Sequence, residues 1–164
     1  MLALFHGSNQ IVKKPIITNR FKTLDFGEGF YTTTNQEQAE NFALKVPERR
    51  KFVGTPTVNC YEFNANLNEF KVLKFDAPNE EWLDFVVNRR RNEVLEQKYD
   101  LIIGPVANDD VFATILLYER GIADKETTIK NFKIKPLYTQ YLFCSELILE
   151  KLIFVNSYEV SKKC

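Results

Sequence analysis

Asp25-Phe26-Gly27-Glu28-Gly29-Phe30-Tyr31-Thr32-Thr33-Thr34 joins a glycine turn to a run of aromatic and β-branched residues. Two glycines two positions apart permit positive φ and a close approach of the backbone to a ligand. Phe30 to Thr34 have the composition of a strand. The stretch therefore reads as a flexible turn feeding a rigid strand, and it runs at once into a helix. Thr34 and Glu37 form a T-x-x-E capping box, Asn35 and Gln38 offer a second register, and Ala39, Phe42, Ala43 and Val46 make an apolar stripe. Tyr31 and Phe42, eleven positions apart, either face one cleft or pack in the core; this stretch alone leaves both readings open.

At 164 residues, 45% hydrophobic and 27% charged, the chain suffices for one sizeable core and lacks the polar bias of disorder, so residues 1–164 are expected to form a single domain. The net charge is zero, which weakens the case for unspecific attraction to phosphate backbones or anionic membranes, although a nucleic acid remains open as a substrate. The short clusters Arg49-Arg50-Lys51 and Arg89-Arg90-Arg91 each end a predicted helix, where cations suit the macrodipole, and both read as solvated faces. Cys60, Cys144 and Cys164 have no C-x-x-C spacing and only one histidine to join them, so no metal site is expected. No signal-peptide pattern or membrane-length apolar run appears, and a reducing cytoplasm fits best.

Leu2 to His6 reads as a buried strand ending in His6-Gly7-Ser8. His6, the only histidine, is either a hydrogen-bonded structural residue or a catalytic one. Residues 9–24 show no clean period. Pro47 to Pro56 reads as a connection, followed by strands at residues 58–63 and 70–75 with a turn between them. Residues 80–90 have helical spacing with acids first and arginines last, and residues 100–105 read as a buried strand with a Gly-Pro stop. Asn108, Asp109 or Asp110 caps the next helix, with Asp109 also a candidate acid. A short helix over residues 124–132, a strand over 138–144, a turn of helix capped by Ser145 and a strand over 152–160 complete the chain.

A strand ending in His-Gly-Ser, then Gly-Phe-Tyr with a second aromatic eleven residues on, then a late strand carrying a polar residue, resembles the ADP-ribosyltransferase family of the diphtheria-toxin and poly(ADP-ribose) polymerase branch. The matching residues are His6-Gly7, Gly29-Phe30-Tyr31, Phe42 and Gln140. The resemblance implies an α+β fold with a split, mainly antiparallel sheet and flanking helices, and paired strands between Thr57 and Phe75. A closer resemblance, on D-F-G-x-G-F-Y-x-T-T and G-P-V-A-N-D, is to small bacterial proteins described only as a domain of unknown function, which look like members of toxin-antitoxin or defence gene pairs.

These resemblances imply that NAD is the substrate and that a mono-ADP-ribosyl group passes to a protein or nucleic-acid acceptor, with a small antitoxin protein as a further partner. In the resembling family, cleavage of the nicotinamide glycosidic bond has oxocarbenium character, as in glycoside hydrolysis. His6 would hydrogen-bond a ribose hydroxyl, the Gly7 backbone would hold the carboxamide, Ser8 would help hold NAD, and Gly29 with Tyr31 would frame the nicotinamide end of NAD. Tyr31 and Phe42 would sandwich the nicotinamide ring. Gln140 stands where the family usually has glutamate, and an amide neither carries negative charge nor acts as a base. Glu28, Asp109 and Glu146 are the other acids able to supply the missing charge, each read first as a surface or capping residue. The rival readings are an inactive NAD or ADP-ribose binding module and an interaction domain with His6, Tyr31 and Phe42 in its core.

Overall fold

The computed structural model describes residues 1–17, 26–49, 51, 53–91, 98–106, 109–132 and 137–162. They form an α+β fold around a seven-stranded, mostly antiparallel sheet. In chain order the elements are β1 (Leu2–Ser8), β2 (Phe30–Thr33), α1 (Gln36–Arg49), β3 (Thr57–Phe63), β4 (Val72–Lys74), α2 (Glu80–Arg90), β5 (Leu101–Pro105), α3 (Asp109–Glu119), α4 (Lys125–Phe132), β6 (Thr139–Phe143), α5 (Glu146–Leu149) and β7 (Leu152–Glu159). The strand order is β4-β5-β6-β2-β1-β3-β7. β4 and β5 run parallel and every other neighbouring pair is antiparallel. No helix among the described residues is long and apolar enough to cross a membrane.

Along most of the sheet the ladders are continuous: β1 pairs with β3 from Leu2↔Phe63 to Ser8↔Thr57, and β2 pairs with β6 from Phe30↔Phe143 to Thr33↔Gln140. Between β1 and β2 the register consists of Phe5↔Thr33 alone. The sheet is therefore split there into two halves, β4-β5-β6-β2 and β1-β3-β7.

The apolar residues are sorted by the same split. Because successive strand side chains alternate between faces, Phe5, Tyr31, Thr33, Gln140, Leu142 and Ile102 belong to one face. On that face α1 covers one half, where Ala39 and Ala43 pack with Val58 and Phe5. Trp82, Leu83, Val86 and Val87 of α2, with Val111, Ile115 and Phe132, cover the other. These two clusters are separate. The opposite face carries one continuous cluster, from Leu4 and Tyr61 through Phe30 to Leu101, Ile103 and Phe143, closed by Ile148 and Leu149 of α5. One face thus joins the halves while the other leaves a division between two helical layers.

Of the two capping registers open for α1, the Asn35 one forms, with Asn35 Oδ1 accepting the Gln38 N–H at 2.8 Å. Other local expectations need correction. The helix continues through Pro47 to Arg49, so the connection starts later than the proline suggested. A proline in the last turn forfeits one intrahelical bond, and the buried side of this helix retains it. Strands β3 and β4 are not paired: a 3₁₀ turn at Leu67–Glu69 intervenes, and the short β4 crosses to the far edge beside β5. Ser145 occupies the N-cap of α5 without a side-chain cap bond. The capping alternatives at Asn108, Asp109 and Asp110 lie outside the described side chains.

Candidate functional site

The site forms where the ladder between β1 and β2 stops. Beyond Phe5↔Thr33, extrapolated antiparallel register would set Gly7 opposite Tyr31. Instead the His6 side chain reaches across, with Nδ1 2.7 Å from the Tyr31 carbonyl oxygen. A carbonyl can only accept, so Nδ1 carries the proton, and in neutral imidazole Nε2 is then the acceptor nitrogen. The ring also lies against Phe30, with centroids 4.3 Å apart and planes at 32°. A side chain thereby satisfies a backbone group left over by the split, as the accounting of buried carbonyls requires.

Gly7 is buried against α1. A Cβ there would meet the Ala39 carbonyl oxygen and come within 2.8 Å of the Ala43 nitrogen, so its lack of a side chain is explained by strand-helix contact. Ser8 and Asn9 are buried beyond it. Residues 9–12 are held down by β3: Asn59 Oδ1 accepts the Val12 N–H at 2.7 Å, and Tyr61 Oη donates to Val12 O at 2.6 Å. Asn59 and Tyr61 thus brace the segment after His6-Gly7-Ser8. Sequence reasoning gave neither a role, because a polar residue in an alternating strand reads only as a solvent-side position.

Tyr31 is half-buried. Its hydroxyl donates to Gly27 O at 2.6 Å and accepts the Phe26 N–H at 3.2 Å, tying the phenol to the turn that precedes its own strand. Gly27 (φ 91°) and Gly29 (φ 150°) supply the positive φ this turn needs. A Cβ on Gly29 would also meet the Phe143 carbonyl oxygen of β6. Phe42 stands on α1 above the same face, but it is 45% exposed, at the margin of the stripe whose buried members are Ala39, Ala43 and Val46. Of the three residues, His6 and Tyr31 are half-buried, with Tyr31 packed against the core beneath α2, and Phe42 is exposed.

Gln140 lies opposite Thr33 on one side and Gly104 on the other, and is 6% exposed. Its Nε2 donates to Pro105 O at 3.4 Å, the one hydrogen bond its side chain makes among the described residues. Its Oε1 accepts none. Oε1 is not among the fully buried unpartnered atoms of the described residues, so this largely buried carboxamide keeps its oxygen open to solvent on the divided face. Nearby, Thr33 Oγ1 lies 2.6 Å from Gln38 Oε1 and accepts the Asn35 N–H at 3.1 Å, fixing the start of α1 against the strand end.

The expected residues are therefore gathered along one seam, though not on one side of it. The imidazole of His6 belongs to the Phe30 face, while the Tyr31 ring and Gln140 amide belong to the face carrying the helical layers. Glu28 is exposed in the turn before β2, and Glu146 is exposed beyond the other end of β6 from Gln140. The Asp109 side chain lies outside the described residues. The expectation of a solvated face is corrected for Arg89 and Arg90, while the Arg49 and Arg50 side chains lie outside the described residues. Arg89 is half-buried with Nε 3.2 Å from Phe26 O, and the Arg90 guanidinium carbon lies 4.2 Å from the Phe112 ring centroid. At the same end burial pushes the Cys144 thiol up to about 12, with the Arg89 charge opposing, so the thiol stays protonated.

Fold and seam together define an α+β protein built on a split antiparallel sheet, with polar side chains assembled where the strands part. A family model described as "Protein of unknown function (DUF3990)" matches residues 2–154, and the chain belongs to that family. No curated protein and no solved structure matches it.

Proposed function

We propose that this protein is an NAD-dependent mono-ADP-ribosyltransferase of the diphtheria-toxin and poly(ADP-ribose) polymerase type, a bacterial toxin or defence effector acting in the cytoplasm on a macromolecular acceptor. The observation that carries the reading is the Gln140 amide, held through Nε2 with its Oε1 left open to solvent, on a face divided at the very strands that bear His6 and Tyr31. A ribose hydroxyl is a donor such an oxygen can accept from. His6 would engage the sugar from the other side of the seam. The Tyr31 ring, its hydroxyl already tied down, would offer a fixed surface for the nicotinamide.

In the transfer, the bond between the nicotinamide nitrogen and the ribose anomeric carbon breaks, and its electron pair leaves with nicotinamide. The acceptor nucleophile forms the new bond at that carbon, and any proton it carries goes to solvent or to a base. Gln140 cannot take that proton. The acceptor must therefore be anionic already or be deprotonated by its own surroundings, which favours a single transfer over polymer synthesis.

Gln140→Glu and Gln140→Ala test this directly through nicotinamide release from NAD. A carboxylate that accepts from the ribose and opposes developing positive charge should raise turnover roughly tenfold, from about 1 to 2 kcal/mol of added stabilisation. Gln140→Ala should lower it. Equal rates in all three proteins would remove Gln140 from the site. The neutral amide also favours a second reading, a module that binds NAD or ADP-ribose without cleaving it. NAD binding with no nicotinamide release in wild type would select that reading.

A further inference from the structure

We infer that Arg89 is a positioning residue of this site, setting the turn at residues 26–29 and through it the Tyr31 ring; the inference rests on the function proposed above. Arg89 stands in the last turn of α2, whose Trp82 donates through Nε1 to the same Pro105 carbonyl that Gln140 binds. Its Nε donates to Phe26 O at 3.2 Å, while the Tyr31 hydroxyl donates to Gly27 O at 2.6 Å. Two successive carbonyls of the turn are thus held by two side chains, one from α2 and one from β2. A charged guanidinium makes a stronger bond to a carbonyl than a neutral donor does, and its planar fork keeps that bond in one direction.

The packing makes the same assignment independently. A Cβ on Gly27 would meet the Arg89 guanidinium, and the backbone there has φ 91°, a conformation that residues with side chains rarely adopt. Arg89 therefore fills the place where a residue other than glycine would put its side chain. The core beneath α2 is made by Trp82, Leu83, Val86 and Val87 and does not depend on the guanidinium. Losing it should loosen the turn and the phenol tied to it while leaving the helix packed.

The test compares Arg89→Ala and Arg89→Lys with wild type in the full chain. The readouts are KM and kcat for nicotinamide release from NAD, amide hydrogen exchange at residues 27–31, and thermal unfolding. Arg89→Ala should unfold cooperatively, exchange its turn amides about tenfold faster, and raise KM for NAD about tenfold with kcat changed less than about threefold. Arg89→Lys, which keeps a charged donor for Phe26 O, should bring KM back to within about threefold of wild type. Should Arg89→Ala not fold, Arg89→Gln takes its place in the comparison. Unchanged exchange and KM overturn the inference, as does a loss of stability, KM and kcat that lysine fails to rescue. If wild type neither binds nor cleaves NAD, the proposed function fails; exchange alone then decides the clamp, and turn amides unaffected by Arg89→Ala overturn it.

Discussion

A single imidazole spans the gap where two strands stop pairing, which makes His6 part of the framework and of the candidate chemistry at once. Removing it uncovers the Tyr31 carbonyl at a cost of about 1 kcal/mol, whereas Asn keeps a donor of similar reach. Activity data on His6 variants therefore need that pair. At the other end of β6, Asp100 shows how a site-neutral residue sets the response to pH. The Ser145 hydroxyl beside it, short of full hydrogen-bond geometry, and then the Lys71 N–H at 2.9 Å hold its carboxyl below the usual carboxylate range. A carboxyl with a lower pKa folded than unfolded contributes stability above its unfolded value, and that contribution disappears as pH falls through its folded value. Asp100→Asn should thus lower Tm most near neutrality, and its gap to wild type should close as pH falls below about 4. A gap independent of pH would contradict this account of Asp100.

α1 sits so close to β1 that Gly7 has no room for a methyl group. Both atoms that a Cβ would strike first are helix backbone, which cannot rotate aside as a side chain can. Gly7→Ala should cost about 1 to 3 kcal/mol through overpacking, or roughly 3 to 10 °C in Tm for a chain of this size. Thermal unfolding checks it, and an unchanged Tm would show that α1 shifts freely. The His-Gly element was legible in the sequence, but this reason for its glycine was not, since strand-helix distance leaves no local mark. Strands β1, β3 and β5 and helix α2 were legible because their apolar periods match their elements. The pairing of β4 was not. Nearness in sequence suggested a hairpin with β3, whereas partner choice is settled by long-range packing on both faces. Arg89 was misread for a related reason. Charge at a helix end suits solvent and macrodipole, and only the position of the distant glycine turn shows that this side chain donates to Phe26.

Across the whole molecule, one apolar cluster on one face binds the two half-sheets together, and two separate clusters on the other leave the seam between them. That arrangement gives a frame whose two halves meet through the single β1–β2 register pair Phe5↔Thr33, and His6, Tyr31 and Gln140 all stand along that seam. Transfer of ADP-ribose at this seam is the central claim, and nicotinamide release from NAD by purified protein tests it most directly. The comparison is between wild type, His6→Ala and His6→Asn, each with and without cytosolic extract, after thermal unfolding has shown that the variants fold. The account predicts release by wild type that extract enhances, loss of release in His6→Ala, and label from NAD on a macromolecule in the extract. Wild-type release no greater than that of a folded His6→Ala variant under either condition would contradict it.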